Sequence, residues 1–500
     1  MDKLLISKLG CGIFVSSVPL PLPLSVLTIS LHGGPRYERD TSHCGIFDIL
    51  KDLILTRKPT KTNKQTFREQ LLKNGILASS SLQREALQIT SMNLRNGLPA
   101  FLDLFTENVI RGDFSKDNLD ILCNRKLESW SNSDKNGETI ANDLIHYMSY
   151  HPFQPKGNNR NRNVLGGGNL GQPNFCSPSR IAKGFVGNNI DALNDLKLVG
   201  DYSKRHFVRE NITVSAMGID HDRLCQLVEN TLGKLPSLLD NGQAMNKGLS
   251  GNALFKFVKG KYQIKESQYN GGGLCCVSDK ANDSLESNQV QYLDGKFPTI
   301  QNLNHMSVYF PSHSIYSPNL ITSLLTKFLL GGGSSYIVGG PGKGIETRFY
   351  QVLHQYHYLD KFIAQVKPYS DHGLFGVDTT FVGNNGLNVY KEIINQLHLL
   401  AQNNPKEEEL QRAKNQLKVN LFMLLERREI LTADFSKQLM YYSKINTLQE
   451  LNEKIDNITS SDVSNFIKNI LKGNPSVALY GDTSKIDDLK KEIPKHYFFN

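Results

Sequence analysis

Apolar positions along the chain fall into blocks, some with the alternation of strands and others with the three- and four-residue spacing of helices. Leu4 and Ile6, then Gly10-Cys11-Gly12, then Ile13 and Val15 read as strand, tight turn and strand. The most apolar stretch, Val18 to Leu31, is broken by Pro19, Pro21 and Pro23. It is also shorter than the roughly 20 residues a membrane-spanning helix needs, so it is read as part of the folded domain. Further on, Asn404-Pro405 with Glu407, Glu408 and Glu409 reads as a helix start with Pro at the first position and acids against the positive end of the dipole. Leu410, Ala413, Leu417, Leu421 and Leu424 follow on one stripe. A second stripe, Val463, Phe466, Ile467, Ile470 and Leu471, is ended by Gly473. Both stripes are expected to be core.

Two parts of this pattern repeat. A helical stretch from Asp191 to Phe207 leads into Asn211-Ile-Thr-Val-Ser-Ala-Met-Gly218-Ile-Asp220 and a charged helix start, His221 to Leu227. Near the end, Ser461 to Lys472 leads into Asn474-Pro-Ser-Val-Ala-Leu-Tyr-Gly481-Asp482 and another helix start, Ser484 to Leu489. The two glycines are 263 residues apart, more than half the chain of 500. That spacing predicts two homologous halves rather than a short-period repeat. Three stretches are too rich in Gly and Asn to hold regular elements: Lys156 to Ser179, Tyr269 to Asn304, and Gly331 to Gly344. The expected division is therefore an N-terminal half over 1–250, a linker and low-complexity insertion over 251–304, and a C-terminal half over 305–500.

Composition narrows the class. With 39% hydrophobic and 21% charged residues and a mean hydropathy of −0.35, the chain reads as soluble and globular, neither disordered nor membrane-embedded. Its net charge of +9 is spread along the chain and bounds solubility more than it identifies a partner. The seven cysteines are sparse and include no Cys-x-x-Cys pair, which points away from a disulfide scaffold and a zinc ribbon and toward a reducing compartment. Because folded pattern starts close to Met1, no cleavable Arg-rich presequence is expected. The Asn-Arg tract at 158–163 holds only Arg160 and Arg162, too few for a nucleic-acid footprint, so no nucleic-acid partner is expected.

The run Gly331-Gly-Gly-Ser-Ser-Tyr-Ile-Val-Gly-Gly-Pro-Gly-Lys-Gly344 follows an amphipathic run, Leu320 to Leu330. It is not a P-loop: Ile337 stands where the first glycine is needed, and Gly344 follows Lys343 in place of Ser or Thr. It also lacks the dinucleotide fingerprint, since no glycine stands at Glu346 or Thr347 and the preceding run has a helical period. Together with Pro368-Tyr-Ser-Asp-His-Gly-Leu-Phe-Gly376, the stretch Glu409 to Leu417, Pro475 to Asp482, and Gly33-Gly-Pro-Arg-Tyr-Glu38, this segment resembles the α-subunit branch of the mitochondrial processing peptidases. That branch lies within the pitrilysin- and insulinase-type zinc peptidase family, and the resemblance spans nearly the whole chain.

The resemblance implies an α+β fold of two homologous halves, each a mainly antiparallel sheet with helices packed on one face. It implies that substrate presequences are bound by the glycine-rich segment, through Gly331, Gly332, Gly333, Ser334, Ser335, Gly339, Gly340, Pro341, Gly342, Lys343 and Gly344. In catalytic members a helix carries His-x-x-Glu-His, two histidines ligating zinc and the glutamate activating water. Here the matching stretch is Gly45 to Leu53, with Asp48 and Asp52 at the ligand positions and Lys51 at the base position. A charged lysine cannot act as a base and repels a metal, so no catalytic residue, metal ligand or cofactor is expected in this chain. Zinc is expected instead in a catalytic β subunit, the implied heterodimer partner. Glu128 falls near the third ligand position and reads as a surface acid. His354 and His357, the one close His pair, read as packing in an aromatic run. The family also implies the mitochondrial matrix, or a mitochondrion-derived organelle. A core subunit of respiratory complex III is the alternative reading, and an independent zinc peptidase is disfavoured by Asp48, Lys51 and Asp52.

Overall fold

The structure is a computed structural model that describes residues 4–21, 23–38, 43–55, 67–94, 96–111, 116–133, 137–150, 195–237, 269, 273–278, 303–334, 345–481, 486–493 and 496–499. In chain order the first elements are β1 (Leu5–Lys8), β2 (Phe14–Val18), β3 (Leu24–His32), α1 (Ile46–Leu53), α2 (Phe67–Lys73), β4 (Leu77–Leu82), β5 (Ala86–Leu94), α3 (Leu98–Arg111), α4 (Lys116–Ser133) and α5 (Gly137–Tyr150). Then come α6 (Leu196–His206), β6 (Ile212–Met217), α7 (His221–Asn230), β7 (Leu274–Ser278), β8 (Leu303–Ser312), α8 (Leu320–Leu330), β9 (Gly332–Ser334), α9 (Arg348–Gln355), β10 (Leu359–Pro368) and β11 (Gly373–Val382). The remainder is α10 (Gly386–Gln402), α11 (Glu407–Glu426), α12 (Arg428–Tyr442), α13 (Leu448–Asp456), α14 (Ser460–Ile470), β12 (Ser476–Gly481), α15 (Ile486–Glu492) and β13 (His496–Phe499).

Two compact units result, the first comprising 1–131, 160–265 and 421–447, the second 132–159, 266–420 and 448–500. The first holds a sheet of order β1-β2-β6-β3-β5-β4 and the second a sheet of order β13-β7-β12-β8-β11-β10-β9. The orders β2-β6-β3-β5-β4 and β7-β12-β8-β11-β10 are the same arrangement written twice. In each, one parallel pair (β2 with β6, β7 with β12) is followed by antiparallel pairs only. The fold is thus α+β with two homologous, mainly antiparallel halves. Gly218 and Gly481, which announced the repeat, end the equivalent strands β6 and β12 with φ of +81° and +130°. A Cβ at Gly218 would stand 2.3 Å from the Leu24 carbonyl oxygen, and one at Gly481 2.2 Å from Asn304 Oδ1. Only glycine permits that approach at the start of β3 and of β8.

Both faces of the central strands are covered, whereas the edge strands β1 and β4 stay largely exposed. On β3, Leu27, Ile29 and Leu31 alternate with Thr28, Ser30 and His32, and all six are buried. The hydroxyl-rich face of the first sheet packs against α12, although that helix comes from the far end of the chain. Thr28 Oγ1 lies 3.0 Å from Thr432 Oγ1, Thr213 Oγ1 donates to the Ser436 carbonyl at 2.8 Å, and Gln88 Nε2 donates to the Ala433 carbonyl at 2.8 Å. Toward one end of this contact, Phe14, Val18 and Met217 close on Leu431, Phe435 and Leu439 in an apolar cluster. In the second sheet α5, from the first part of the chain, lies across β12 and β8 in the same way. Lys361 of β10 reaches Glu138 of α5 at 2.8 Å, and His146 Nε2 meets the Tyr369 hydroxyl at 2.6 Å. The apolar face carries helices local to each unit, such as α14, whose Phe466 meets Phe375 edge-on at 5.2 Å.

Several expectations are corrected. The linker expected over 251–304 contains β7, and the glycine-rich stretch contains β9. Both strands pair with neighbouring strands of the second sheet, so tertiary hydrogen bonding overrides a composition that disfavours strands. The helix expected to begin at Pro405 begins at Glu407. Its stripe is core at Leu410, Ala413 and Leu417, but Leu424 is 42% exposed.

Candidate functional site: a degenerate metal-motif helix and a glycine-rich neck

Helix α1 is held by the segment Gly33 to Glu38. Gly34 has φ +145°, with the Gln83 carbonyl oxygen where a Cβ would stand. Arg36 forms a buried ion pair with Glu85. Glu38 Oε1 accepts from the backbone N–H groups of Gly45 and Phe47 at 3.1 and 3.2 Å, so a buried carboxylate satisfies donors at the helix's N-terminus. Phe47 packs edge-on against the rings of His206 and Tyr202 at 4.9 and 5.8 Å. These contacts fix the rotation of α1 about its axis, and with it Asp48, Lys51 and Asp52.

The four-residue spacing puts Asp48 and Asp52 on one face. Between them lies a cation from the chain itself. Lys126 Nζ, from α4, is 3.0 Å from Asp48 Oδ2 and 2.6 Å from Asp52 Oδ2, while Lys51 Nζ is 2.6 Å from Asp48 Oδ1. Two carboxylates and two ammonium groups of this chain thus meet on one side of α1. Burial alone would pull the Lys126 ammonium's pKa down, but Asp48 and Asp52 outweigh it and hold the value above that of an ordinary lysine. Zinc does not fit these residues: a bridging ammonium stands between the two carboxylates and a second ammonium sits at the base position. Among the described residues no group of three or more His, Cys, Asp or Glu could hold a metal ion.

Lys126 is the residue that sequence reasoning missed. It reaches α1 from the helix that also carries Glu128, but two residues along a helix is a rotation of about 200°, and Glu128 is exposed on the other side. The His354 and His357 spacing is not realised on one helix, because α9 ends at Gln355; the His354 ring packs against Tyr350 at 4.6 Å.

The described ends of the glycine-rich segment form a neck. Gly331 caps α8 with φ +64°, and Gly332, at φ +98°, brings its backbone so close to β10 that a Cβ would stand 2.0 Å from the Phe362 carbonyl oxygen. Gly332, Gly333 and Ser334 pair as β9 with Ile363, Phe362 and Lys361. The Gly332 N–H donates to Thr347 Oγ1 at 3.2 Å, joining the two ends of the segment. Beyond Thr347, Arg348 makes a two-pronged pair with Glu409 at 2.7 and 3.0 Å, and Arg412 Nη1 meets Glu346 Oε2 at 2.9 Å. Gly331 and Gly332 thus serve close backbone approach, with Gly333 between them and Ser334. Ser335, Gly339, Gly340, Pro341, Gly342, Lys343 and Gly344 lie outside the described residues.

Comparison with known proteins adds the following. Residues 195–417 match the model of the Peptidase M16 inactive domain. The chain is 24% identical to the probable mitochondrial-processing peptidase subunit alpha of Schizosaccharomyces pombe, over 98% of this chain and 88% of that one. It is 24% identical to the mitochondrial-processing peptidase subunit alpha of Caenorhabditis elegans, over 92% and 81%. The human subunit alpha is 22% identical over 92% and 78%. In structure it is similar to a chain of Complex III2 from Candida albicans, solved with Inz-5 bound, with a TM-score of 0.71, 14% identity, and coverage of 99% of this chain and 100% of that chain.

Proposed function

We propose that this M16-family chain, related along nearly its whole length to mitochondrial-processing peptidase α subunits, is the non-catalytic, substrate-recognising subunit of a heterodimeric processing peptidase. The observation that carries the reading is Lys126 lodged between Asp48 and Asp52. A chain whose motif helix is neutralised by its own lysines acts in proteolysis through a partner. In this reading a β subunit supplies zinc and the general base, and the pair works in the mitochondrial matrix or the matrix of a derived organelle. The role of the present chain is to bind N-terminal presequences at the segment from Gly331 to Gly344. A backbone rich in glycine adapts to many sequences, which suits a site that must accept substrates of different sequence. The likeness to a Complex III2 chain supports the second reading, a core subunit of that complex, only at the level of the shared fold.

The test is cleavage of a precursor by the chain paired with a catalytic β subunit. Deleting Ser335 to Gly344 is expected to raise KM about tenfold or more while leaving the zinc content of the pair unchanged. An unchanged KM would remove the role assigned to the segment.

A further inference from the structure

The glycine-rich segment leaves the second unit and rejoins it at one place. The hydrogen bond from the Gly332 N–H to Thr347 Oγ1 spans 15 positions of chain. Gly331 lies so close to Thr347 that a Cβ on it would stand 2.5 Å from that side chain. The departing end is fixed by the pairing of β9 with β10, a backbone ladder. The returning end, 345–347, belongs to no helix or strand, so side chains must hold it.

Two ion pairs to α11 do so. Arg348 places Nε and Nη2 on the two carboxylate oxygens of Glu409 at 2.7 and 3.0 Å. Three residues along α11, on the neighbouring surface position, Arg412 donates from Nη1 to Glu346 Oε2 at 2.9 Å and from Nη2 to the Glu346 carbonyl oxygen at 3.2 Å. A two-pronged guanidinium contact fixes angle as well as distance. The Arg348–Glu409 side chains are 21% and 15% exposed, against 29% and 78% for Arg412–Glu346, so the first pair is the less screened and the stronger anchor. The helices themselves are held by other contacts. Phe349 of α9 packs edge-on against Phe362 at 4.7 Å, and α11 buries Leu410, Ala413 and Leu417. What the ion pairs add is the position of the returning end. A segment whose ends are already held together has lost its closure entropy before a ligand arrives, so a peptide bound there spends less binding free energy on ordering it.

Resting on the reading that presequences bind between Gly331 and Gly344, we propose that Arg348 and Glu409, seconded by Arg412 and Glu346, are positioning residues for the precursor. They set its KM by fixing the returning end of the segment against α11, and they leave the chemical step alone. Precursor cleavage by the chain paired with a catalytic β subunit tests this. Arg348→Gln and Glu409→Gln should each raise KM about threefold or more, with kcat and zinc content unchanged, and the exchange Arg348→Glu/Glu409→Arg should recover most of the loss. Lys418→Gln removes a similar pair, with Asp456 at 2.7 Å farther along α11, and should leave KM at the parent value. This control separates positioning from general loosening of the helix. Deletion of Ser335 to Gly344 is measured beside them. A raised KM in the deletion but not in Arg348→Gln and Glu409→Gln overturns the positioning role and spares the segment's own. A fall in kcat alone, or an equal rise in KM for Lys418→Gln, also overturns it, and an unchanged KM in the deletion removes the reading beneath it as well.

Discussion

Lys126 reaches two carboxylates one turn apart on a helix more than seventy residues earlier in the chain. Replacing it with Met removes the ammonium between Asp48 and Asp52 and leaves Lys51 paired with Asp48. Because these groups are largely covered, the loss is expected to be about 1–3 kcal/mol, more than an exposed ion pair is worth. Urea melts of Lys126→Met, Asp48→Asn and the double variant should reveal a coupling energy of about 1 kcal/mol, and additive losses would show that the cluster is not a unit. His32 provides a second residue-scale prediction. Its ring is fully buried, with Nδ1 3.2 Å from the Tyr37 hydroxyl. Burial pushes its pKa down to about 3. The unfolded chain therefore binds a proton at His32 below about pH 6.5 that the folded chain does not take up until about pH 3. Stability should fall with pH across that window, by up to about 1.4 kcal/mol per unit for this residue. His32→Phe should reduce the slope by about one proton; an unchanged slope would mean that His32 is already protonated in the folded state.

At the scale of elements, the repeat makes a paired prediction. Gly218→Ala and Gly481→Ala each drive a Cβ into a fixed neighbour at a positive φ, and each should cost about 2 kcal/mol or more. Hydrogen exchange should show accelerated exchange at 212–217 for the first variant and at 476–481 for the second. This repeat was legible because a strand, a glycine and a helix start recur with the same local chemistry. Other elements were hidden for physical reasons. The strand β7 lies beside glycines and a polar tract, and its strand character comes from parallel pairing with β12 and β13, neither of them near in sequence. The hydroxyl-bearing positions of β3 carry no local signal of what covers them, yet Thr28 and Ser30 are buried beneath a helix some 400 residues later. The positions of Asp48, Lys51 and Asp52 were readable from one helix turn, whereas the ion that neutralises them was not, since nothing local in sequence selects Lys126 over Glu128.

At the scale of the whole molecule, two homologous units are each completed by a helix from the other part of the chain. The division of 1–250 and 305–500 follows chain order, whereas the compact units draw 132–159 into the second and 421–447 into the first. Fragments cut at the middle would therefore each lack a helix that covers a sheet, and separate expression of 1–250 and 305–500 should give chains that melt less cooperatively than the intact protein. The net charge of +9 is of the wrong sign to attract basic presequences, so in the proposed role recognition depends on local acids here or on the partner. The central claim is that this chain brings no catalytic metal of its own and acts through a partner. Zinc content and precursor cleavage, measured together on the isolated chain and on its complex with a β subunit, test it most directly. We predict that the isolated chain has neither zinc nor cleavage activity and that the complex has about one zinc per pair together with activity. Stoichiometric zinc on the isolated chain, lost in Asp48→Asn/Asp52→Asn, would contradict it.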